Sequence, residues 1–188
     1  IQKPVNVQEG DKLPVSAFVE IADGSVPSGT AAHERRNVST EVPVWKPENC
    51  IQCNRCSYVC PHAVIRPAVM DAQEAAAAPA GMSILPVTGM DGYQVSMIIS
   101  PSDCTGCGSC AAVCPGKQGE KALSMCPVHE HEERQRYFDY GKSLPEKEEL
   151  VSKFGIGTVK GSQYKKPYLE FHGACAGCGE TTYPRLVT

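Results

Sequence analysis

Cysteine is the residue type in this sequence whose spacing could do the most chemistry. There are 11 cysteines among 188 residues, and eight of them form two groups of four with the same spacing. In each group the first three cysteines recur every third residue, and a fourth follows four residues later, directly before a proline. Cysteines so close together are good metal ligands and poor disulfide partners. The groups are Cys50, Cys53, Cys56 and Cys60, and Cys104, Cys107, Cys110 and Cys114.

This spacing suits a [4Fe-4S] cluster, in which each of four iron atoms takes one thiolate. Three closely spaced cysteines let one tight loop hold three irons, and Gly106 and Gly108 permit a close backbone approach. Backbone N–H groups of such a loop then point at the sulfur atoms. In the bacterial two-cluster pattern, the cysteine before proline binds the other cluster. We therefore expect cluster one on Cys50, Cys53, Cys56 and Cys114, and cluster two on Cys104, Cys107, Cys110 and Cys60.

Two other uses of cysteine fit less well. A secreted disulfide scaffold conflicts with the odd count, the bunched cysteines and an N-terminus without signal-peptide character. Zinc ribbons use two Cys-x2-Cys pairs separated by a longer gap, whereas each group here has a third cysteine in step and a fourth before proline. The sequence therefore favours iron–sulfur clusters and one-electron transfer.

An internal repeat surrounds the two cysteine groups and predicts the fold. Apolar runs at residues 63–65, 93–99 and 122–125 are predicted to be short strands. Each copy is predicted to comprise a strand, a cysteine loop, a short helix after the Cys–Pro step and a second strand, and a pseudo-two-fold relates the copies. The predicted fold class is α+β, a bacterial two-[4Fe-4S] ferredoxin-like module over residues 45–127 with irregular flanking segments.

The module carries a lead-in segment and an insertion. Residues 1–44 are predicted to be irregular, with one short helix near residues 30–36. The insertion at residues 71–92 contains an alanine run that favours a helical turn, which Pro79 ends. We interpret the insertion as a structural lid or spacer, with partner docking as the alternative.

The remainder of the chain is predicted to follow in two pieces. Residues 128–166 are charged and are interpreted as a linker with exposed helices. A strand is predicted over residues 166–171, at the start of the segment 167–188, which continues into a glycine-rich loop and a helix.

Three cysteines lie outside the repeat. Cys126 falls in the second copy's trailing strand, where the first copy has no cysteine, so we interpret it as a bystander. Cys175 and Cys178 form a Cys-x2-Cys pair, which cannot complete a [4Fe-4S] site. They form either a redox disulfide or part of a site whose other ligands lie beyond Thr188. His129 and His131 form a candidate ligand pair, but they lie among charged residues, so we expect both in a solvated face and not at a metal.

Composition excludes several classes of function. The chain is 41% hydrophobic and 21% charged, with a net charge of −3, which is ordinary for a soluble globular protein. No basic patch predicts nucleic-acid binding, and no apolar stretch is long enough to span a membrane. We therefore expect a cytoplasmic protein without nucleic-acid or membrane partners. The first residue is Ile1 and not Met, so we also expect that the chain has been cut.

Six segments of the sequence carry a resemblance to a known family: 47–54, 61–67, 103–108, 121–123, 159–163 and 173–181. On these residues the sequence resembles the pyruvate:ferredoxin (flavodoxin) oxidoreductase family over most of its length. The resemblance implies that Cys175 and Cys178 supply two of the four ligands of a third [4Fe-4S] cluster. It also implies that residues 167–188 begin a thiamine-diphosphate-binding domain, that residues 1–44 correspond to the preceding small domain, and that Glu180 is the candidate contact to the thiamine.

The resemblance further implies a reaction. Pyruvate is decarboxylated on thiamine diphosphate with magnesium, electrons leave singly through three clusters to ferredoxin or flavodoxin, and coenzyme A takes the acetyl group. The family is commonly homodimeric. This chain would carry electrons within the enzyme and would not turn over pyruvate by itself. The alternatives are a free-standing two-cluster ferredoxin and a structural metal-binding module.

Overall fold

Two small antiparallel sheets form the centre of the protein. The computed structural model describes residues 1–25, 28–171, 173–175 and 178–187. In the first sheet β1 pairs with β5, and in the second the order is β2, β4, β3. All pairings are antiparallel. The strands are β1 (Glu41–Trp45), β2 (Ile65–Met70), β3 (Leu85–Pro86), β4 (Gln94–Ile99) and β5 (Leu123–Pro127).

Two of the three predicted strands are present: residues 93–99 contain β4, and residues 122–125 overlap β5. The strand predicted at residues 63–65 was misplaced, because Ala63 has a left-handed φ of 53° and the strand that follows, β2, begins at Ile65 and extends to Met70. In the register, Trp45 lies opposite Leu123 and Ile65 lies opposite Ile99. Strand β1 begins at Glu41 and therefore crosses the predicted start of the module at residue 45. Each sheet thus joins a strand that precedes a cysteine loop to one that follows the other loop.

Short helices complete the structure. Those of the described residues are α1 (Gln2–Asn6), α2 (Arg55–Tyr58), α3 (Ala72–Ala76), α4 (Ser109–Ala112), α5 (Gln135–Ser143), α6 (Glu148–Phe154), α7 (Val159–Ser162) and α8 (Thr182–Val187). In the insertion, Asp71 caps the N-terminus of α3 by accepting hydrogen bonds from the backbone N–H groups of Gln73 and Glu74. The predicted alanine-rich turn is therefore confirmed. A 3-10 helix at Thr30–His33 occupies the place of the predicted helix near residues 30–36.

The helix of each repeat lies before the Cys–Pro step, not after it. Helix α2 contains Cys56 and ends at Tyr58, two residues before Cys60, and α4 contains Cys110 in the same way. The prediction of a helix after Cys–Pro was wrong. The residue before a proline is disfavoured in the helical region, so each helix ends before its Cys–Pro step. After Pro61 the chain passes through a left-handed Ala63, φ 53°, into β2.

Helices α5 and α6 each bury an apolar face. Phe138 of α5 packs with Ala68 and Ile98 of the second sheet. Leu150 of α6 is completely buried and packs with Val69 and other residues of the same sheet. The prediction of exposed helices in this segment was therefore wrong. Each apolar face is only a few residues wide and is surrounded in sequence by charge, so the exposed positions dominated the pattern.

The segment at residues 166–171 is irregular and does not form the predicted strand. Contacts of its side chains, and not pairing with a neighbouring strand, hold this segment in place. Glu170 makes an ion pair with Arg66 at 2.6 Å, and the Phe171 ring meets Phe138 edge-on at 6.2 Å between centroids. Helix α8 forms where a helix was predicted after the glycine-rich loop. No helix among the described residues is both long and apolar enough to cross a bilayer.

Candidate metal centres

Four thiols from both halves of the repeat line one cavity. The first loop supplies Cys50, Cys53 and Cys56, and Cys114 comes from the second loop. Trp45 and Leu123 are among its apolar walls. The cavity encloses about 360 Å³, including the open space at its mouth. These four thiols are the set predicted for cluster one.

A second cavity mirrors the first. Cys104, Cys107 and Cys110 of the second loop line it, and Cys60 comes from the first loop. It encloses about 350 Å³, again with its open mouth included, and Ile65 is among its apolar walls. The fourth cysteine of each group therefore faces the other loop's cavity. Helices α2 and α4, which precede the two fourth cysteines, contact each other and bring the two cavities together.

Backbone N–H groups point at the thiols in the way predicted for such loops. The N–H of Gln52 lies 3.4 Å from Sγ of Cys50, and the N–H of Gly106 lies 3.4 Å from Sγ of Cys104. These are equivalent positions of the repeat, and both have left-handed φ values, 55° and 70°. Donors of this kind stabilise negative charge on the sulfur atoms.

The two loops differ in the residue that adopts this left-handed conformation. The second loop uses glycine at position 106, where a Cβ would lie 3.1 Å from the carbonyl oxygen of Glu41. The first loop has Gln52 there, and its side chain donates to the Pro86 carbonyl and accepts from the Thr88 N–H, both at 2.8 Å. A non-glycine residue in the left-handed region is strained, so the insertion's contacts stabilise this loop.

Burial disfavours the deprotonated, thiolate form of these cysteines. Burial raises the pKa of Cys104 to about 11 and that of Cys110 to about 12, and neighbouring thiols add to both shifts. Burial also raises the pKa of Cys56 and of Cys60. Bringing several thiolates together in an apolar site requires compensating positive charge, which iron supplies when it binds. The donor sets therefore fit a metal cluster.

One buried donor lies on a residue of the first cavity. The side chain of Trp45 lines this cavity, and its indole N–H is buried and has no hydrogen-bond partner among the described residues. A buried donor of this kind is costly unless it is paired.

The remaining cysteines lie outside both cavities. Cys126 lies in β5 opposite Val42, and its Sγ is 3.9 Å from the hydroxyl of Ser124. Cys175 is exposed and Cys178 is partly buried, and the Cys178 N–H donates to the Cys175 carbonyl at 3.0 Å. Both are free thiols. Ala176 and Gly177, between them, fall outside the described residues, as does His172, which directly precedes the matching segment.

Two residues weighed in the sequence analysis are exposed. The Glu180 side chain, the candidate thiamine contact, is exposed in the short turn before α8. The His129 side chain is 75% exposed and lies 3.9 Å from its neighbour Glu130, as expected for a solvated face.

The C-terminal segment packs against the cysteine loops, which sequence reasoning missed. The Thr181 hydroxyl lies 3.3 Å from Nδ1 of His62, the residue after Cys60–Pro61. Arg185 of α8 donates to the side-chain oxygen of Gln163 at 3.0 Å, and Ser57 of α2 donates to the same oxygen at 2.9 Å. No spacing in the sequence relates residues so far apart, so only the folded chain reveals these contacts.

Comparison with known proteins first defines the class. Residues 49–118 match the 4Fe-4S dicluster domain family, and residues 1–39 match a family named EKR, a domain of unknown function. The fold and the match together define an iron–sulfur protein with a ferredoxin-like dicluster domain, so the predicted fold class is confirmed.

The relatives are more specific. The chain is 50% identical to the pyruvate-flavodoxin oxidoreductase of Klebsiella pneumoniae over 188 residues, which is 100% of this chain and 16% of the relative. It is 50% identical to that of Enterobacter agglomerans, over 98% of this chain and 15% of the relative. It is 46% identical to the pyruvate:ferredoxin oxidoreductase of Moorella thermoacetica, over 100% of this chain and 16% of the relative.

The chain therefore corresponds to the iron–sulfur segment of the pyruvate:ferredoxin and pyruvate-flavodoxin oxidoreductases. It spans 15–16% of the length of these relatives. The resemblance to this family, stated from six segments of the sequence, is confirmed.

Proposed function

We propose that this chain relays electrons one at a time through two [4Fe-4S] clusters within a pyruvate:ferredoxin or pyruvate-flavodoxin oxidoreductase. The observation that carries the proposal is the pair of four-thiol cavities, each lined from both loops. Clusters of this kind supply one-electron redox chemistry when bound. The chain's own part is to hold the thiolates, shield them with apolar walls and direct backbone N–H groups at the sulfur atoms.

The proposed ligand sets follow the two cavities. Each set takes three thiolates from one loop and one from the other, so each cluster would bridge both halves of the repeat. The few aromatic residues, 6% of the chain, fit a core that the clusters complete. Cluster one is assigned to Cys50, Cys53, Cys56 and Cys114, and cluster two to Cys104, Cys107, Cys110 and Cys60.

The contacts of the C-terminal segment support an order for the relay. Arg36 donates to the carbonyl of Ala174, which precedes Cys175, and the same arginine borders a cleft with His62 and Thr105 of the cluster-two side. Electrons that enter near Cys175 would therefore meet cluster two first. Cluster one, beside the exposed Ile51, would then pass them to the external carrier.

The remainder of the reaction belongs to the whole enzyme. There we propose that pyruvate is oxidised on thiamine diphosphate with magnesium, that coenzyme A takes the acetyl group, and that ferredoxin or flavodoxin accepts the electrons. Cys175 and Cys178 would contribute to a third [4Fe-4S] cluster, and Glu180 would contact the thiamine. We propose that the whole enzyme is cytoplasmic and homodimeric. We also propose that this chain does not turn over pyruvate by itself.

Anaerobic reconstitution tests the proposal. The chain should bind about eight iron and eight sulfide atoms, the content of two clusters, and should show brown absorbance that dithionite bleaches. Electron paramagnetic resonance of the reduced protein should show two interacting clusters. About four irons would contradict the two-cluster proposal, and a colourless protein would leave only a structural metal module.

A second candidate, a free-standing two-cluster electron carrier, is favoured by the presence of both complete thiol sets within this chain. The coding sequence after Thr188 separates the two candidates. Two further cysteines and a thiamine-binding segment there would support the enzyme, and a stop codon would support the free carrier.

A further inference from the structure

The segment that leads into β1 lies against the cluster-two loop. The N–H of Asn37 donates to the carbonyl of Ser102 at 2.9 Å. A Cβ placed on Gly106 would lie 3.3 Å from Cβ of Ser39, so Ser39 packs directly on the turn that begins at Cys104. The sequence predicted only an irregular lead-in here.

The hydroxyl of Ser39 is buried beside a candidate ligand. Ser39 is 8% exposed, and its Oγ makes no hydrogen bond within the described part of the chain that meets ordinary geometry. Ser39 packs against Gly106, whose backbone N–H lies 3.4 Å from Sγ of Cys104. Burial raises the pKa of that thiol, and the backbone N–H of Gly106 and the Ser39 hydroxyl oppose the shift. A buried hydroxyl is costly unless it is paired, and a thiolate ligand at Cys104 would be its acceptor.

We propose that Ser39 donates a hydrogen bond to the Cys104 thiolate of cluster two and thereby raises the reduction potential of that cluster. This rests on the proposed function, because it requires a cluster on Cys104. A reduced cluster carries one more negative charge than an oxidised one, so a donor at a ligand sulfur stabilises the reduced form more. Ser39 is thus a tuning residue supplied from outside the cysteine loops.

The test is a redox titration of the reconstituted chain, followed by electron paramagnetic resonance. In Ser39→Ala one of the two cluster potentials should fall, and the other should stay. The loss of one hydrogen bond to a charged group should lower the equilibrium constant for reduction by about tenfold. This corresponds to a fall in potential of about 59 mV for a one-electron couple. Iron content is measured on every sample.

Three variants act as controls. Ser39→Thr and Ser39→Val have nearly the same shape and differ in the hydroxyl, so Thr should keep the wild-type potential and Val should show the fall. This pair decides the question even if Ser39→Ala loses iron. Ser124→Ala removes a serine hydroxyl beside Cys126, outside both cavities, and should move neither potential.

The outcomes separate the two proposals. Equal potentials in the Thr and Val variants, both with about eight irons, overturn the Ser39 proposal and leave the two-cluster function intact. A wild-type chain that binds no more than about four irons overturns the two-cluster function itself, whatever the Ser39 variants do.

Discussion

The hydroxyl oxygen of Thr181 lies 3.3 Å from Nδ1 of His62, although the two residues are 119 positions apart. Thr181 donates its single hydroxyl proton to the carbonyl of Cys178 at 2.9 Å. Nδ1 of His62 must therefore carry the proton that Thr181 accepts, which assigns the imidazole tautomer. His62 directly follows the Cys60–Pro61 step, and the backbone N–H of Val64 donates to Sγ of Cys60 at 3.4 Å. A continuous chain of bonds and hydrogen bonds thus links Cys178 with Cys60.

Removing this hydrogen bond should loosen the C-terminal segment. Thr181→Val keeps the shape of the side chain and loses the hydroxyl, with its hydrogen bonds to His62 and to the Cys178 carbonyl. Of the two, the His62 bond joins the C-terminal segment to the cysteine loop, so the docking of α8 should weaken by about 1 kcal/mol, the net value of one hydrogen bond. Amide hydrogen exchange of residues 182–187, measured by mass spectrometry, should accelerate about fivefold.

The matched control is Thr181→Ser, which retains the hydroxyl and should exchange at nearly the wild-type rate. Equal exchange in the Val variant and the wild type would mean that this contact does not hold the segment, and that Arg185 with Gln163 is sufficient.

The crossed ligand sets predict which cluster each fourth cysteine supports. Cys60→Ser should damage the cluster held mainly by the second loop, because the Cys60 thiol faces that cavity. Cys114→Ser should damage the cluster held mainly by the first loop. Alkylation of the reconstituted protein followed by peptide mapping reports the result, since thiolates bound to iron are protected.

In Cys60→Ser the newly alkylated cysteines should be Cys104, Cys107 and Cys110, while the first-loop cysteines stay protected. The reciprocal pattern is expected in Cys114→Ser. If each substitution instead exposes the cysteines of its own loop, the crossed assignment is wrong.

Cys126 should be dispensable for cluster binding. Its side chain lies in β5 outside both cavities, and its nearest described polar contact is Ser124. Cys126→Ala should therefore retain about eight irons after reconstitution. Cys110→Ala, a substitution of the same size at a proposed ligand, should lose iron. Iron loss in the Cys126 variant would make that cysteine a ligand and refute the bystander interpretation.

The local features of the cluster sites could be predicted from the sequence because they repeat. Cysteine spacing, the flanking prolines and the apolar runs occur twice, so each copy supported the interpretation of the other. The helix after Cys–Pro was placed wrongly because the spacing identifies the ligands but does not show which turn holds Cys56 or Cys110.

Features that depend on contacts between distant residues could not be predicted. The segment at residues 166–171 has a strand-like pattern, yet Arg66 and Phe138 hold it in an irregular form. The burial of Phe138 and Leu150 follows from docking on the second sheet and not from a wide apolar face. The Ser39 and Thr181 contacts likewise depend on how remote segments pack.

The packing of α5 on the second sheet is tested at Gly141. A Cβ at this position would lie 2.7 Å from Cβ of Ala68 and 2.7 Å from Cδ1 of Ile98, so the helix can approach the sheet this closely only with glycine. Gly141→Val should destabilise the protein by about 2 kcal/mol, a typical cost of overpacking a core. This cost exceeds the few tenths of a kcal/mol that valine gains over glycine in helix propensity. Urea unfolding of the reconstituted protein measures it.

Gly157→Val is the matched control, because a Cβ at Gly157 would meet nothing within 4 Å. Its urea midpoint should stay close to that of the wild type, whereas the midpoint of Gly141→Val should fall. Since α5 also carries Phe138, which packs with the sheet and with Phe171, displacement of the helix should expose that cluster as well. Equal midpoints in the two variants would show that α5 can move from the sheet without cost, and that the second sheet does not depend on this helix for its core.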